Sequence, residues 1–475
     1  MSAPETATAT SPTPATAPAE TPRPINKKNP HIVILGGGFG GLNLAKALRN
    51  TTARITLIDR QNHHLFQPLL YQVATASLSS VEIAKPLRSI LSDHENLHVE
   101  LGDVQAVDLK NRVVHMHHHS IEYDYVIIAM GGVTSYFGHP EWAQFAPGLK
   151  SITDAMHIRR EILYSFEKAE LTKDPEKLKE LMTILIVGGG PTGVELAGAA
   201  KELGRFVMRH DFRKIDPTSI RVVLIEAADR ILMHLPKDLS ASAQRQLEAI
   251  GVEVRLNCMV QDIKEHTLIA KDKAKPEAET FNAAAIVWAA GVGANPITRT
   301  LGVDIDRAGR IKVNDDCSIP GYPEAFAIGD IAFLLNKKTN APVPGVSPAA
   351  IQMGQYVAKV IEADLADPNL KPEQRLKFQY WDKGTMATIG HARAVAMVSG
   401  IKFSGFLAWL AWLGVHILFL VGFTNKLTVV IRWVWAFFTR RQGARVFTSD
   451  EGRGTVQVTT SPSTSMVTPP KATTD

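Results

Sequence analysis

Two short stretches hold the residues best suited to chemistry. In HIVILGGGFGGL, beginning at His31, an apolar run ends in glycines, and Gly36, Gly38 and Gly41 follow the spacing G-x-G-x-x-G. In ILIVGGGPTGVELAG, beginning at Ile184, Gly188, Gly190 and Gly193 repeat that spacing about 150 residues later. The spacing suits a pyrophosphate for geometric reasons. The first glycine permits a tight turn, the second lets backbone approach the phosphates, and the third lets the following helix pack on the strand. The helix N-terminus then stabilises the negative charge. An acid is needed at the end of the next strand to accept hydrogen bonds from ribose hydroxyls. Asp59 ends RITLID eighteen residues past Gly41, and Glu226 ends RVVLIE after a longer gap, which we assign to an extended helix around KELGRFVMRHDFRKIDPTS. Glu226 repels a 2′-phosphate and so points to NADH, with Arg230 the nearby cation that argues the other way.

One such turn binds one dinucleotide, so two in one chain imply electrons passed between two. Hydride cannot usefully move between two nicotinamides held by one chain, whereas a flavin accepts hydride and passes electrons on. The pairing is therefore FAD plus NADH. Only two cysteines occur, Cys258 and Cys317, far apart in sequence. Neither a disulfide framework nor a dithiol redox centre is encoded, and a reducing cytoplasm fits. The cluster HMHHH at His115 to His119 has nothing nearby to complete a ligand set, so no metal is expected.

The elements that must position these residues alternate along the chain. Apolar runs such as HIVILG, RITLID, YDYVIIAMGG, LMTILIVGGG, RVVLIEA, AAIVWAAGVG and EAFAIGD are separated by helical stretches. Strands apolar on both faces belong to parallel sheets covered on both sides, so the class is α/β. We expect two Rossmann-like dinucleotide-binding domains, the NADH domain inserted in the FAD domain, plus a C-terminal membrane-associating helical region. The expected boundaries are 1–30 for an unfolded Ala/Thr/Pro-rich tail, 31–150 for the first part of the FAD domain and 151–295 for the NADH domain. Residues 296–400 return to the FAD domain and add short antiparallel strands, 401–448 form the C-terminal helices, and 449–475 are a second polar tail. No cleavable signal is visible.

From Phe406 to Phe423 the chain carries eighteen uncharged residues, short of the ~20 that span a bilayer. Trp409 and Trp412, then LTVVIRWVWAFFTRR, suit a helix pair lying in the headgroup layer, with a transmembrane hairpin as the rival reading. The overall charge of +5 is mild, but Lys402, Lys426, Arg432, Arg440, Arg441 and Arg445 occur in a stretch without an acidic residue. That asymmetry points to an anionic lipid surface rather than to nucleic acid. With no polytopic bundle and no chain of ionisable groups inside a membrane, no proton pumping is expected.

GGGFGGL, RQNHHLFQPLLYQVATASL, GGGPTGVELAG, VWAAGVGANP, AFAIGD and GTMATIGHARAV together resemble the type II NADH dehydrogenases, single-subunit NADH:quinone oxidoreductases of the two-dinucleotide-binding-domain flavoprotein superfamily. The similarity runs from about His31 to Phe447. The resemblance implies that Gly36, Gly38, Gly41 and Asp59 hold FAD, that Gly329 and Asp330 close over its ribityl chain, and that the segment from Gln67 to Thr75 lies along the flavin. It implies that Gly188, Gly190, Gly193 and Glu226 hold NADH, and that Glu195 comes close to nicotinamide and flavin. Gln352 matches the second glutamine of a quinone-side motif whose first position here is Pro348, a departure that removes a two-glutamine clamp. Lys383 matches a lysine of the quinone tunnel and could stabilise negative charge on the quinone oxygen. The resemblance further implies a membrane quinone as acceptor, a homodimer, and a place on the cytoplasmic face of the inner membrane. The alternatives are a soluble ferredoxin-type or disulfide-family flavoreductase, and a flavin-bearing redox sensor with slow turnover. The first would not need the apolar C-terminal segment or would need catalytic cysteines; the second would reduce every quinone slowly.

Overall fold

The apolar run ahead of the first glycine turn forms β1 (His31–Leu35), with all five residues buried. It is the centre of a parallel sheet with β2 (Arg54–Asp59), β3 (Leu97–Leu101) and β4 (Tyr125–Ile128). Helix α1 (Phe39–Ala47) follows the turn, and the short α2 (Leu70–Ala74) lies further along. The computed structural model describes residues 25–26, 28–209, 211–367, 369–439 and 443–447. The expected tails therefore fall largely outside it: residues 1–24 and 449–475 lie outside the described residues. Ahead of β1, however, Ile25 packs on the core and the Asn26 amide donates to Asp124 Oδ1 at 3.0 Å, so folded structure begins before His31.

The second unit repeats the plan with β5 (Thr183–Val187), α3 (Pro191–Glu202), β6 (Arg221–Ile225), β7 (Val252–Arg255) and β8 (Ala285–Trp288). Its sheet runs β7-β6-β5-β8, all parallel, the same order as β3-β2-β1-β4. The first sheet is completed later in the chain by β9 (Ser318–Ile319) and β10 (Tyr322–Ala327), with β10 parallel to β4. The second unit is therefore an insertion between β4 and β10. The two crossings of the chain pair antiparallel as residues 132–134 and 292–294.

The long gap before Glu226 is not one extended helix. Helix α3 widens into a π-helical turn at Leu203–Val207, and the chain then loops. The Glu170 carboxylate holds that loop by accepting from the amides of Arg213, Lys214 and Ile215.

After α4 (Ser347–Ala366), the chain forms an antiparallel meander of β11 (Thr385–Gly390), β12 (Arg393–Val398) and β13 (Ile401–Ser404). Helix α3 presses onto β11: a side-chain carbon added at Gly198 would lie 1.8 Å from the Ile389 carbonyl oxygen. The apolar run from Phe406 splits into α5 (Phe406–Phe419) and α6 (Phe423–Thr439), with Gly422 at φ +92° between them. At ~1.5 Å per residue neither reaches the ~30 Å of a bilayer core. Among the described residues, no helix is long and apolar enough to cross a membrane.

Polar contacts dock α6 on the first unit. Asn425 Nδ2 donates to the carbonyls of Glu82 at 2.9 Å and Val81 at 3.1 Å, Arg432 pairs with Glu82, and Trp433 Nε1 donates to Gln72 Oε1 at 2.9 Å. The opposite face is apolar and exposed: Leu427, Val430, Ile431, Val434, Trp435 and Phe438 recur at helical spacing. The C-terminal cations are less free than their sequence suggests. Lys402 pairs with Asp238, Arg432 with Glu82 and Arg445 with Asp211, and Lys426 Nζ donates to the Leu418 carbonyl. Arg440 and Arg441 lie outside the described residues.

Candidate active site

The two glycine turns have the same geometry. Gly36 and Gly188 sit at φ +105° and +108°, a conformation that side chains rarely adopt. A side-chain carbon at Gly41 would lie 1.9 Å from the Gly36 carbonyl oxygen, and one at Gly193 would lie 1.9 Å from that of Gly188. At Gly38 and Gly190, by contrast, an added carbon meets no atom within 4 Å. The outer glycines are thus forced by protein packing, while the middle ones face open space at a helix N-terminus. That is the shape a pyrophosphate requires.

The acids hold these turns in matching ways. Asp59 Oδ2 accepts from the Gly37 amide at 2.6 Å and Oδ1 from Gln61 at 2.7 Å. Glu226 Oε2 accepts from the Gly189 amide at 2.5 Å and Oε1 from Ala228 at 2.7 Å. A carboxylate has about four acceptor sites, so each acid keeps capacity for ribose hydroxyls while bracing its turn. Arg230 directs its guanidinium to the Met233 carbonyl. Gly329, at φ +75°, and Asp330 lie beside α4 and Gly345, and the Asp330 carboxylate has no hydrogen-bond partner among the described residues. It is available as an acceptor for polyol hydroxyls. Gln67 is exposed and donates to the Lys150 carbonyl at 3.0 Å.

His64 was not singled out by spacing, although it lies in the HHLFQPLL stretch. Its Nδ1 is 3.0 Å from the Gly37 carbonyl, burial lowers its pKa to about 4, and Nε2 is buried without a partner. A neutral ring donating through Nδ1 thus steadies the first cradle and leaves an orphaned acceptor.

From the first cradle a chain of rings leads to the C-terminal helices. Phe39 touches Phe66 (centroids 5.8 Å apart), Phe66 touches His416 (6.2 Å), and His416 stacks on Trp412 (4.0 Å). Trp412 lines a cavity of about 140 Å³ between α2, α3, β11, α5 and α6, along with Tyr71, Glu195, Thr388, Trp433 and Phe437. An apolar cavity near 150 Å³ holds a benzene ring, so one six-membered ring fits.

Glu195 is buried on this cavity, with Oε1 accepting from the Thr388 amide at 3.3 Å. Burial pushes its pKa up to about 8, against the opposing pull of the Thr388 amide. The Trp412 indole N–H lies near enough to favour the ionised carboxyl slightly but has no acceptor in hydrogen-bond geometry. Gln352 and Lys383 do not line the cavity. The Gln352 amide expected to reach a quinone is instead paired at both ends with the Trp381 backbone, at 2.9 and 3.0 Å. Lys383 lies over the rings of Trp381 and Phe419, at 5.1 and 5.8 Å. The structure therefore groups Glu195 with Tyr71 and the tryptophans, and groups Gln352 with Lys383 around Trp381. Among the described residues no metal-binding cluster occurs.

Two matching nucleotide cradles, with both cysteines buried and unpaired in separate units, define a flavin- and pyridine-nucleotide-dependent oxidoreductase without a dithiol centre. Comparisons agree: residues 30–354 match the pyridine nucleotide-disulphide oxidoreductase family, and residues 382–442 match the NDH2 C-terminal domain. The chain is 43% identical to the type II NADH:quinone oxidoreductase Ndh of Mycobacterium tuberculosis over 92% of this chain and 94% of that one. It is also 43% identical to NdhA of the same organism, over 88% and 89%. A solved NDH2 from Plasmodium falciparum in complex with NADH shares the fold at TM-score 0.80 and 20% identity, covering 87% of this chain and 99% of that one. The chain belongs to the type II NADH:quinone oxidoreductases.

Gly190→Ala is expected to keep the thermal stability and raise the KM for NADH several-fold, because its methyl enters the space left for phosphate. Gly193→Ala, which overlaps backbone, is expected to cost ~1–3 kcal/mol of stability; equal melting temperatures for the two variants would contradict this division. Glu195 makes a second expectation measurable. The folded protein keeps its proton up to about pH 8, whereas an unfolded chain releases it near the ordinary 4.5. Between those limits the folded state binds the extra proton, so stability falls as pH rises. Glu195→Gln removes this linkage, and scanning fluorimetry of the holoenzyme should show a smaller drop in Tm from about pH 5 to pH 8. An unchanged drop would mean that Glu195 ionises freely.

Proposed function

We infer that this enzyme passes two electrons from NADH, through FAD, to a quinone, taking up one proton as the quinol forms. The observation that carries this reading is the pair of matched cradles, linked by a short run of rings to a cavity of single-ring size. Bound FAD supplies the acceptor for hydride and the donor of electrons. Gly36, Gly38, Gly41, Asp59, Gly329 and Asp330 hold it, and His64 steadies the Gly37 carbonyl. Gln67 belongs to the same proposal, on the family resemblance that lays its segment along the flavin. Gly188, Gly190, Gly193 and Glu226 hold NADH, whose reaction needs its ring placed and water excluded rather than an acid or base.

We place the quinone head in the cavity beside Glu195, where burial keeps a proton on the carboxyl at neutral pH. A proton held in a dry site is one that can be given to the reduced ring. Gln352 acts by fixing Trp381, and Lys383 supplies positive charge at the end of β11.

The enzyme works at a membrane surface. The support is the outward apolar stripe of α6 together with exposed Leu407, Leu418 and Phe423, an arrangement that water alone does not favour. Because most of the described cations are paired with protein groups, apolar insertion carries more of the attachment than attraction to anionic lipid. Turnover without proton pumping is part of this reading, supported by the family resemblance. The homodimer and the cytoplasmic face of the inner membrane are supported by the family resemblance.

The double variant Ile431→Glu/Trp435→Glu is expected to abolish flotation with phosphatidylcholine vesicles and turnover of a long-chain quinone, while turnover of a water-soluble short-chain quinone stays within twofold. An intact enzyme that never floats would refute surface attachment. Glu226→Ser should narrow the preference for NADH over NADPH at least several-fold in kcat/KM; an unaltered ratio would mean that the ribose is read elsewhere.

A further inference from the structure

The hydrogen-bond pattern around Gln72 determines which way a tyrosine hydroxyl points. Trp433 offers an indole N–H, a group that only donates, 2.9 Å from one end of the Gln72 amide. That end must be the oxygen, Oε1. The other end is then Nε2, also only a donor, and it lies 2.9 Å from Tyr71 Oη. The Tyr71 oxygen is thereby the acceptor of this bond, and its own proton has to go elsewhere. Among the described residues nothing accepts it. Tyr71 and Gln72 are both buried, and both line the same cavity as Trp412, whose indole N–H also has no acceptor. Burial, reinforced by the nearby Glu195, holds the Tyr71 hydroxyl well above its ordinary pKa, so it stays a neutral donor.

A quinone presents carbonyl oxygens and no donor, so its cavity must supply donors. We propose that the Tyr71 hydroxyl donates to a carbonyl oxygen of the quinone, in a direction set by Gln72 and, through it, by Trp433 of α6. Tyr71 is then a binding residue, and Gln72 and Trp433 are positioning residues. The chain Trp433–Gln72–Tyr71 also makes the donor's alignment depend on the seating of the surface helix. This rests on the reading of the cavity as the quinone site.

The test uses the FAD-loaded, full-length enzyme with a short-chain quinone. Tyr71→Phe is expected to raise the quinone KM roughly three- to tenfold, the worth of one neutral hydrogen bond. Flavin reduction by NADH without acceptor, and turnover with ferricyanide, which has no carbonyl, should change less than twofold. Ala436→Phe, which fills the cavity from α6, separates this proposal from the reading beneath it. If Ala436→Phe raises the quinone KM and Tyr71→Phe does not, the Tyr71 assignment is overturned while the cavity stands. If neither does, the quinone binds elsewhere and both fail. Should Tyr71→Phe not fold, Gln72→Leu serves: release of the hydroxyl should raise the quinone KM with ferricyanide turnover unaltered, and an unchanged KM overturns the proposal.

Discussion

Everything in this molecule depends on how closely two glycines approach in each unit. The third glycine of each turn lies against the carbonyl of the first, with no space for even one carbon between them. That approach seats α1 on the end of β1 and α3 on the end of β5, aiming unpaired helix N–H groups at one point. The middle glycine then faces open space, and the acid of the next strand ties the turn down by its backbone amide. Two units built by one rule bring two nucleotides into one chain. Hydride transfer asks for little more than such placement.

The cavity beside Glu195 is built differently. It has no glycine rule; it is walled by α2, α3 and β11 on one side and by α5 and α6 on the other. The same helices turn an apolar stripe outward. An amphipathic helix in a water-soluble domain turns its apolar stripe inward; α6 buries Val429 inward and carries a further apolar stripe outward, while Asn425 and Arg432 tie its inner side to residues 81–84. The wall of the cavity and the outward apolar stripe are thus opposite sides of one helix.

Burial also sorts the titratable groups by role. Glu195 in its dry wall keeps a proton at neutral pH, while His64 and His416 are driven neutral, with pKa values lowered to about 4. The ring path between cradle and cavity is therefore uncharged, and the acid at its end carries a proton. Lys383 sits apart over its two rings, and the one described arginine on the cavity wall, Arg432, is paired with Glu82.

The sequence by itself determined the two cradles, their acids, the α/β class and the insertion of one unit in the other, because each is written in short-range spacing: glycines five residues apart, an acid closing the next strand, apolar runs of strand length. It also marked the apolar C-terminus, though not the break at Gly422 that splits it. The cavity was beyond its reach, since Tyr71, Glu195, Thr388, Trp412 and Trp433 come from five elements scattered over most of the chain. So were the pairings of Gln352 with Trp381, of Arg432 with Glu82, and of Gln72 with Trp433. A side chain's type tells what it can bond to, but only packing decides what lies within three ångströms of it.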